Sequence, residues 1–475
     1  MKQQGAWVGL AVGVFGLAMS VVALARGGGY FLVVSRLTFV LPLAVVGTVT
    51  ALVAAGVGRK SLNAVMWLGV VAVAGWGWNF LAQWLRWGSA VWGILLPLAR
   101  PTGLDFRDGL YDPARSFSTA RSGWPPLTLL LGRPFTLVSF STGYAIQVCI
   151  LVALAIAAAV LSAKLAAKAV CVPDASGQGR KVDGTTIAVV MGFWLMTSYG
   201  FMFEVERGNI DLYALVFSLA SVWLMIRFPK SAWLPAAALA VAIGLKLYPA
   251  VLLVVLVWRY RWRALVPAVA TIVAVMAVGG LANLHHSLTA LSSIQAAPVR
   301  LGWLNESAAA LAHQLRHDTS WAPSWILYPL LLVPLTLWGS TLLLLIGRGC
   351  SDRRIVLAAA ACVPVMVVVP TISNDYKLVL SVFPLAVLAA VVATMRREPR
   401  MAWIALFGAL AFTMVFLAGS SHVVAPSLQT SKYAFQVVLQ ALLLVVVLVA
   451  DGQSPRPAPA PAPVPMPGKS ELARR

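Results

Sequence analysis

The chain has little charge for its length. Only 11% of its 475 residues are charged, whereas 60% are hydrophobic, and the mean hydropathy is +0.86. A soluble domain cannot bury so much apolar surface, but a lipid bilayer accepts it. The shortage of charge therefore argues against a soluble protein and indicates one continuous membrane domain.

Cysteine is scarce as well. Cys149, Cys171, Cys350 and Cys362 are scattered, and the sequence contains no CxxC motif and no Cys/His cluster. Their spacing suggests neither a disulfide framework nor a zinc site. Internal repeats are also lacking, which counts against transporter folds that are built from duplicated halves.

Acidic residues are the third shortage. Asp and Glu number 15 against 36 Lys and Arg, so the formal net charge is +21. The basic residues form short clusters between apolar runs, as the positive-inside rule requires, and not the grooves or tails of a nucleic-acid-binding protein. The expected electrostatic partners are the lipid bilayer and a phosphate substrate, with no nucleic acid.

Apolar runs of nearly the ~20-residue length of a membrane-spanning helix recur from end to end. They predict about twelve spans, at 6–25, 37–57, 62–85, 142–163, 186–203, 211–227, 264–284, 324–347, 354–370, 378–394, 402–420 and 432–450. The stretch 232–258 differs, because basic clusters bound both of its ends and Gly244, Lys246 and Pro249 lie in its middle. This pattern predicts a helical hairpin or a broken helix.

Charge asymmetry predicts the orientation. Most basic clusters fall on one side of the predicted spans, and most acidic residues fall on the other. We expect an extra N-terminal helix pair over 1–61, a membrane domain over 62–450 and a disordered, Pro/Ala-rich cytoplasmic tail over 451–475. Two long segments, 86–141 and 285–323, then lie outside, where function tends to be found.

The first outer segment holds three carboxylates, Asp105, Asp108 and Asp112, among several arginines that include Arg107. An aspartate can take the proton of an acceptor hydroxyl, and arginines can stabilise a phosphate leaving group. The alternative is an interfacial loop with local salt bridges. The WPPLTLLLGRPF run that follows predicts a helix along the outer interface, begun by Pro125 and Pro126.

A second cluster occupies the turn between two spans, in FEVERGNIDLYALV, residues 203–216. It contains Glu204, Glu206, Arg207, Asn209 and Asp211. Ionisable residues near hydrocarbon are costly, each roughly 2.5–3.5 kcal/mol at mid-bilayer, so we expect a function for them. The alternative is a solvated turn.

Lys246 is the one charge within its apolar stretch. It can contact the phosphate of a lipid donor, or it can form an ion pair with a carboxylate of another helix. Two further polar groups begin predicted outer helices. They are Asn374, Asp375, Tyr376 and Lys377, and Asn305, Glu306 and Ser307, with Ser307 also interpretable as a helix cap.

These stretches resemble glycosyltransferase family 87, the polytopic GT-C enzymes that include actinobacterial mannosyl- and arabinofuranosyltransferases. Residues 206–265 are most similar, with the family's arginine–glycine turn, a lysine-x-x-proline hairpin from Lys246 to Pro249 and a cluster of basic residues after it. Weaker likenesses lie at 124–135 and 305–307. Trp124 stands where the family usually has tyrosine, and no histidine stands near Asn374 where relatives often have one.

The resemblance implies a GT-C-type bundle of about 12–14 transmembrane helices. It implies an inverting transfer of a sugar, mannose or arabinofuranose, from a polyprenyl-phosphate donor to a cell-envelope glycan or glycolipid, on the extracytoplasmic side of the plasma membrane. Asp105 would be the general base, with Asp108 as the second candidate, and Arg207 and Lys246 would hold the donor phosphate. The substrate-binding candidates are Arg107, Tyr111, Glu206, Asn209, Tyr248, Asn305, Glu306, Asn374, Asp375, Tyr376 and Lys377.

No cofactor is required by this pattern, although a divalent cation shared by Asp105 and Asp108 is compatible with it. The main alternative function is a transporter or flippase of lipid-linked sugars. Such a protein would use the same cations but would need no general base. A non-enzymatic scaffold is the third hypothesis, and the buried charge of Lys246 argues against it.

Overall fold

The computed structural model describes residues 103–119, 124–170, 184–296, 307–318, 322–370, 373, 375–394 and 427–451. Several predicted features lie outside the described residues. They are the helix pair in 1–61, the spans at 62–85 and 402–420, and the tail after residue 451.

Regular structure in the described residues is entirely helical. A π-helical turn spans Phe106–Tyr111, and short 3-10 helices span Arg133–Leu137, Tyr248–Leu252, Arg261–Ala264, Ser324–Ile326 and Asp375–Ser381. The α-helices are α1 Asp112–Ser116, α2 Leu127–Gly132, α3 Phe140–Val170, α4 Gly184–Thr197, α5 Tyr199–Arg207, α6 Asp211–Arg227, α7 Trp233–Leu245, α8 Leu253–Tyr260, α9 Leu265–Ala277, α10 Leu281–Ala296, α11 Ala308–Asp318, α12 Leu327–Gly347, α13 Asp352–Val368, α14 Val382–Thr394 and α15 Ser427–Asp451.

Three helical stretches in this part of the chain are long and apolar enough to cross a bilayer. They span Phe140–Val170, Tyr248–Ala277 and Ser324–Gly347. The second stretch is interrupted at its middle by the basic turn Arg261–Ala264. Helix α3, at 31 residues, is about 46 Å long at 1.5 Å per residue, against a hydrocarbon core of about 30 Å. The chain is an all-α polytopic membrane protein, as its composition predicts.

One face of α9 carries large apolar side chains that the protein leaves exposed. Val266, Val269 and Val273 are 64%, 59% and 60% exposed, and their spacing of three and four residues places them on one side of the helix. Such a surface is unfavourable in water and suits contact with lipid.

Helix α3 packs through small side chains. Helix α3 packs against α4, α6 and α14, and its alanines at 155, 158, 159, 163 and 166 are buried. Small residues let helix backbones approach closely, which is how helices associate in a membrane. Helix α13 is buried along its length from Ile355 to Val368, so it lies at the centre of the described bundle.

The stretch 232–258 is a broken helix, as Gly244, Lys246 and Pro249 predict. Helix α7 ends at Leu245, Lys246 is extended at φ −146° and ψ 137°, and a 3-10 turn begins at Tyr248. Gly244 also allows a close approach, since a Cβ there would lie 2.2 Å from a methyl group of Val275. The break leaves Lys246 in a segment that is not helical.

The turn after α5 sets the position of the candidate site. The run predicted as one span at 186–203 is divided at Ser198, which ends α4 and caps α5 by accepting a hydrogen bond from the Phe201 N–H. Gly208 ends α5 at φ +66°, a conformation that glycine adopts readily. Elsewhere Ser307 caps α11 through the Ala310 N–H, as one of its two interpretations predicts.

Candidate active site

Asp105 and Arg207 form an ion pair, although they lie 102 residues apart in the chain. Nη2 of Arg207 donates to one carboxylate oxygen, and Nδ2 of Asn209 donates to the other at 2.7 Å. The two charged side chains are 12% and 14% exposed, so the pair is largely enclosed. Because each carboxylate oxygen can accept more than one hydrogen bond, Asp105 retains acceptor capacity for a further group.

Backbone contacts bring these residues together. The Gly103 N–H donates to the Glu206 carbonyl at 2.8 Å, which ties the start of the first segment to the end of α5. Gly208 lies against Phe106, since a Cβ at position 208 would be 2.6 Å from the Phe106 Cβ. Asn209 holds its own turn, because its Oδ1 accepts the Ile210 N–H at 2.6 Å.

Two residues of α3 support this turn from the opposite side. The Tyr144 hydroxyl donates to the Val205 and Glu206 carbonyls at 2.6 and 3.1 Å, and Gln147 donates to the Asn209 carbonyl at 3.2 Å. Sequence reasoning missed both. They lie three residues apart, hence on one helix face. The one sequence signal that could have indicated them is the amide of Gln147 within an apolar run.

A second charge pair joins Lys246 to Asp211, at 3.8 Å between Nζ and Oδ2. Asp211 is fully buried, and its other oxygen accepts the Tyr248 hydroxyl at 2.6 Å. Of the two interpretations of Lys246, the ion pair with a carboxylate of another helix is therefore present. It leaves open a role toward phosphate, because an ammonium group has three donors.

Aromatic rings lie against both lysines of this region. Nζ of Lys246 is 4.1 Å from the centroid of the Trp124 ring, and Nζ of Lys377 is 5.1 Å from that of Tyr248. Both distances are within the range of cation–π attraction. Trp124, which was not among the predicted site residues, thus contacts one of them, Lys246.

Comparison with known proteins decides the family. Residues 124–371, slightly more than half of the chain, match the family model of glycosyltransferase family 87. The chain belongs to glycosyltransferase family 87. Searches of curated proteins and of solved structures found no match. The matched region of this glycosyltransferase includes Arg207 and Lys246 and begins after Asp105.

In the glycosyltransferase, the two charge pairs are linked through one turn. Asn209, which binds Asp105, precedes Asp211, which binds Lys246, by two residues. An apolar cleft adjoins the second pair, because its lining includes Tyr248, whose hydroxyl donates to Asp211. Its other lining residues are Leu215, Ser218, Leu219, Val222, Leu252, Ala359, Val363, Met366, Leu380 and Phe383. The site therefore combines paired charges with adjacent apolar surface.

Glu204 is a further buried carboxyl that our site prediction omitted. Its Oε1 accepts the Leu212 N–H at 2.9 Å, at the N-terminus of α6, where a carboxylate is favourable. Burial, and then the charge of Asp211, raise the pKa of Glu204 well above its ordinary value. Removal from water disfavours the charged form of this group.

Other predicted site residues lie apart from these pairs. Asp108 and Arg107 pair with each other at 2.9 Å, with side chains that are 56% and 44% exposed. The Tyr111 hydroxyl donates to the Val138 carbonyl at 2.9 Å, a contact within the first segment. Glu206 is buried, and its backbone carbonyl receives the hydrogen bonds from Gly103 and Tyr144.

Some predicted residues are not described. Asn305, Glu306 and Asn374 lie outside the described residues, as do the side chains of Asp375 and Tyr376. The backbone of the latter two begins the 3-10 helix Asp375–Ser381, which packs on α5. Within the described part of the chain, no group of three or more His, Cys, Asp or Glu could hold a metal ion.

Proposed function

We propose that this glycosyltransferase moves a sugar from a polyprenyl-phosphate donor to a hydroxyl of a cell-envelope glycan or glycolipid. The transfer takes place at the extracytoplasmic face of the plasma membrane, and the sugar is mannose or arabinofuranose. The observation that carries the proposal is the enclosed carboxylate of Asp105, held by Arg207 and Asn209 from the family-matched region.

In this proposal Asp105 acts as the general base. It accepts the proton of the acceptor hydroxyl while the acceptor oxygen bonds to the anomeric carbon. The bond from that carbon to the phosphate oxygen breaks, and polyprenyl phosphate leaves with the electron pair. Two hydrogen bonds fix the carboxylate orientation, which favours proton transfer because the transferring groups must be aligned. Asp108, exposed and paired with Arg107, is the second candidate.

Arg207 and Lys246 stabilise the negative charge that develops on the departing phosphate. Both already have a carboxylate partner, so they keep favourable electrostatic neighbours in the absence of donor. Binding of the phosphate then shares these donors with Asp105 and Asp211.

The test is incubation of the purified protein with labelled polyprenyl-phosphate mannose and, separately, polyprenyl-phosphate arabinose, with glycan or glycolipid acceptors. We expect a labelled glycoside from one donor, identified by product analysis. A protein that moves labelled lipid-linked sugar across liposome membranes and forms no glycoside from either donor would contradict the proposal and favour the flippase function.

A further inference from the structure

Helix α10 holds the first outer segment through two of its side chains. Oδ1 of Asn283 accepts the Thr119 N–H at 3.1 Å, and its Nδ2 donates to the Phe117 carbonyl at 3.2 Å. One turn later the Ser287 hydroxyl donates to the Trp124 carbonyl at 2.8 Å and shares its proton with the Asn283 carbonyl of its own helix at 2.9 Å. Because residues four apart share a helix face, α10 fixes the segment on both sides of residues 120–123.

The indole of Trp124 lies between the Asp105 region and Lys246. On one side it packs against the π-helical turn after Asp105, where a Cβ at Gly109 would lie 2.7 Å from the ring. On the other side its face is 4.1 Å from the Lys246 ammonium. The ring therefore contacts both the turn that follows the proposed base and a proposed phosphate ligand.

Lys246 depends on contacts with other segments for the direction of its side chain. It stands at the helix break, and its flexible side chain has four rotatable carbon–carbon or carbon–nitrogen bonds. Its contact with Asp211, at 3.8 Å, is longer than a hydrogen bond. An aromatic face attracts an ammonium group, more strongly where water is excluded, so the ring restrains the direction of the ammonium.

We infer that Trp124 is a positioning residue for donor binding: its indole face holds the Lys246 ammonium in place, and Ser287 of α10 holds the Trp124 backbone. The inference rests on the proposed role of Lys246 toward the donor phosphate. It adds to the site a residue, Trp124, that takes no part in the reaction. It also makes α10 a support of the site through Ser287.

Binding of decaprenyl phosphate, which carries no sugar, tests this inference directly in detergent-solubilised full-length protein. Trp124→Leu removes the aromatic face, and we expect its dissociation constant to rise roughly 3- to 30-fold. Trp124→Tyr keeps an aromatic face and should recover most of the affinity. The matched control is Trp233→Leu, which removes an exposed tryptophan at the far end of α7 and should bind like the wild type.

With a labelled sugar donor, the same substitution should raise KM and change kcat by a smaller factor, since the base is untouched. Ser287→Ala should also weaken decaprenyl phosphate binding, by a smaller factor than Trp124→Leu does. If Trp124→Leu does not fold, the affinity of Ser287→Ala tests the inference. Wild-type affinity in both Trp124→Leu and Ser287→Ala would overturn the inference, as would equal losses in the leucine and tyrosine variants.

Failure of the proposed function has a different result. Suppose that the wild type binds decaprenyl phosphate, that Trp124→Leu binds it more weakly, and that the wild type forms no glycoside from either labelled donor. This result would reject the transfer reaction while supporting the positioning role. Wild-type protein that does not bind decaprenyl phosphate would overturn the inference itself.

Discussion

The ion pair of Lys246 and Asp211 is deeply buried, with side chains that are 12% and 0% exposed. Removing one partner of such a pair leaves the other charge without compensation, which costs about 3 kcal/mol or more. We expect Lys246→Met and Asp211→Asn each to lower the melting temperature of the purified protein. The double variant should be more stable than the sum of the two losses predicts. Strictly additive losses would show that the pair is not coupled.

Measurements of donor affinity distinguish the role of Lys246 from that of its partner Asp211. Lys246→Met should weaken binding of a polyprenyl-phosphate sugar, since it removes a proposed phosphate ligand. Asp211→Asn keeps the lysine and should retain more of that affinity than Lys246→Met does. Unchanged donor affinity in Lys246→Met would exclude its role toward phosphate.

Glu204 gives the site a dependence of stability on pH. Because its folded-state pKa is raised, the folded protein binds this proton more tightly than the unfolded chain. The contribution of Glu204 to the free energy of unfolding is therefore fully present at a pH below the ordinary carboxyl pKa. It is lost as the pH rises through the raised folded-state pKa. We expect Glu204→Gln, which resembles the protonated acid, to lose less melting temperature with rising pH than the wild type. Parallel pH profiles would contradict this assignment.

At the scale of elements, the turn from α5 to α6 determines whether Asp105 and Arg207 meet. Gly208→Ala places a Cβ against Phe106 and forces alanine into a left-handed conformation that costs roughly 1–2 kcal/mol. We expect a large loss of transfer activity. Gly349→Ala is the matched control, since Gly349 has φ +85° and no side chain within 3.5 Å of an added Cβ. It should lose stability and keep activity. Equal activity in both variants would show that the turn does not set the site.

Elements with strong local features could be predicted from the sequence. The bounds of α6 match the apolar run at 211–227, and the break before Tyr248 follows from glycine, lysine and proline within a few residues. The division at Ser198 was not predicted, because serine within an apolar run does not exclude a helix. Ser198 is recognisable as a helix cap only from the backbone conformation of the folded chain.

The site could be predicted in part. Residue types indicated the three carboxylates of the first outer segment, the cluster that contains Arg207, and Lys246. The choice of Asp105 as base came from the family resemblance and stays a prediction. The supporting contacts of Tyr144, Gln147 and Trp124 depend on packing between segments more than 60 residues apart. No local pattern specifies such contacts. An ion pair of Lys246 with a carboxylate of another helix was one of two predicted alternatives. Neither the identity of its partner, Asp211, nor the pairing of Arg207 with Asp105 was predicted.

At the scale of the whole molecule, the proposal requires one orientation in the membrane. In a variant without native cysteines, a cysteine at position 108 should react with an impermeant thiol reagent added outside intact cells. One at position 262, in the basic turn Arg261–Ala264, should react only after the membrane is opened. Both positions are exposed, so access to the side chain is matched. Labelling of both from the same side would refute the orientation.

The central claim is that the Asp105 carboxylate removes the acceptor proton. It is tested most directly by the rate of sugar transfer in purified Asp105→Asn beside Asp108→Asn, with the labelled donor that the wild type uses. Asparagine preserves the size of the side chain but is not a base, so we predict a loss of at least about a hundredfold for Asp105→Asn. Asp108→Asn should transfer at nearly the wild-type rate. Wild-type turnover by Asp105→Asn, with donor binding intact, would contradict the account.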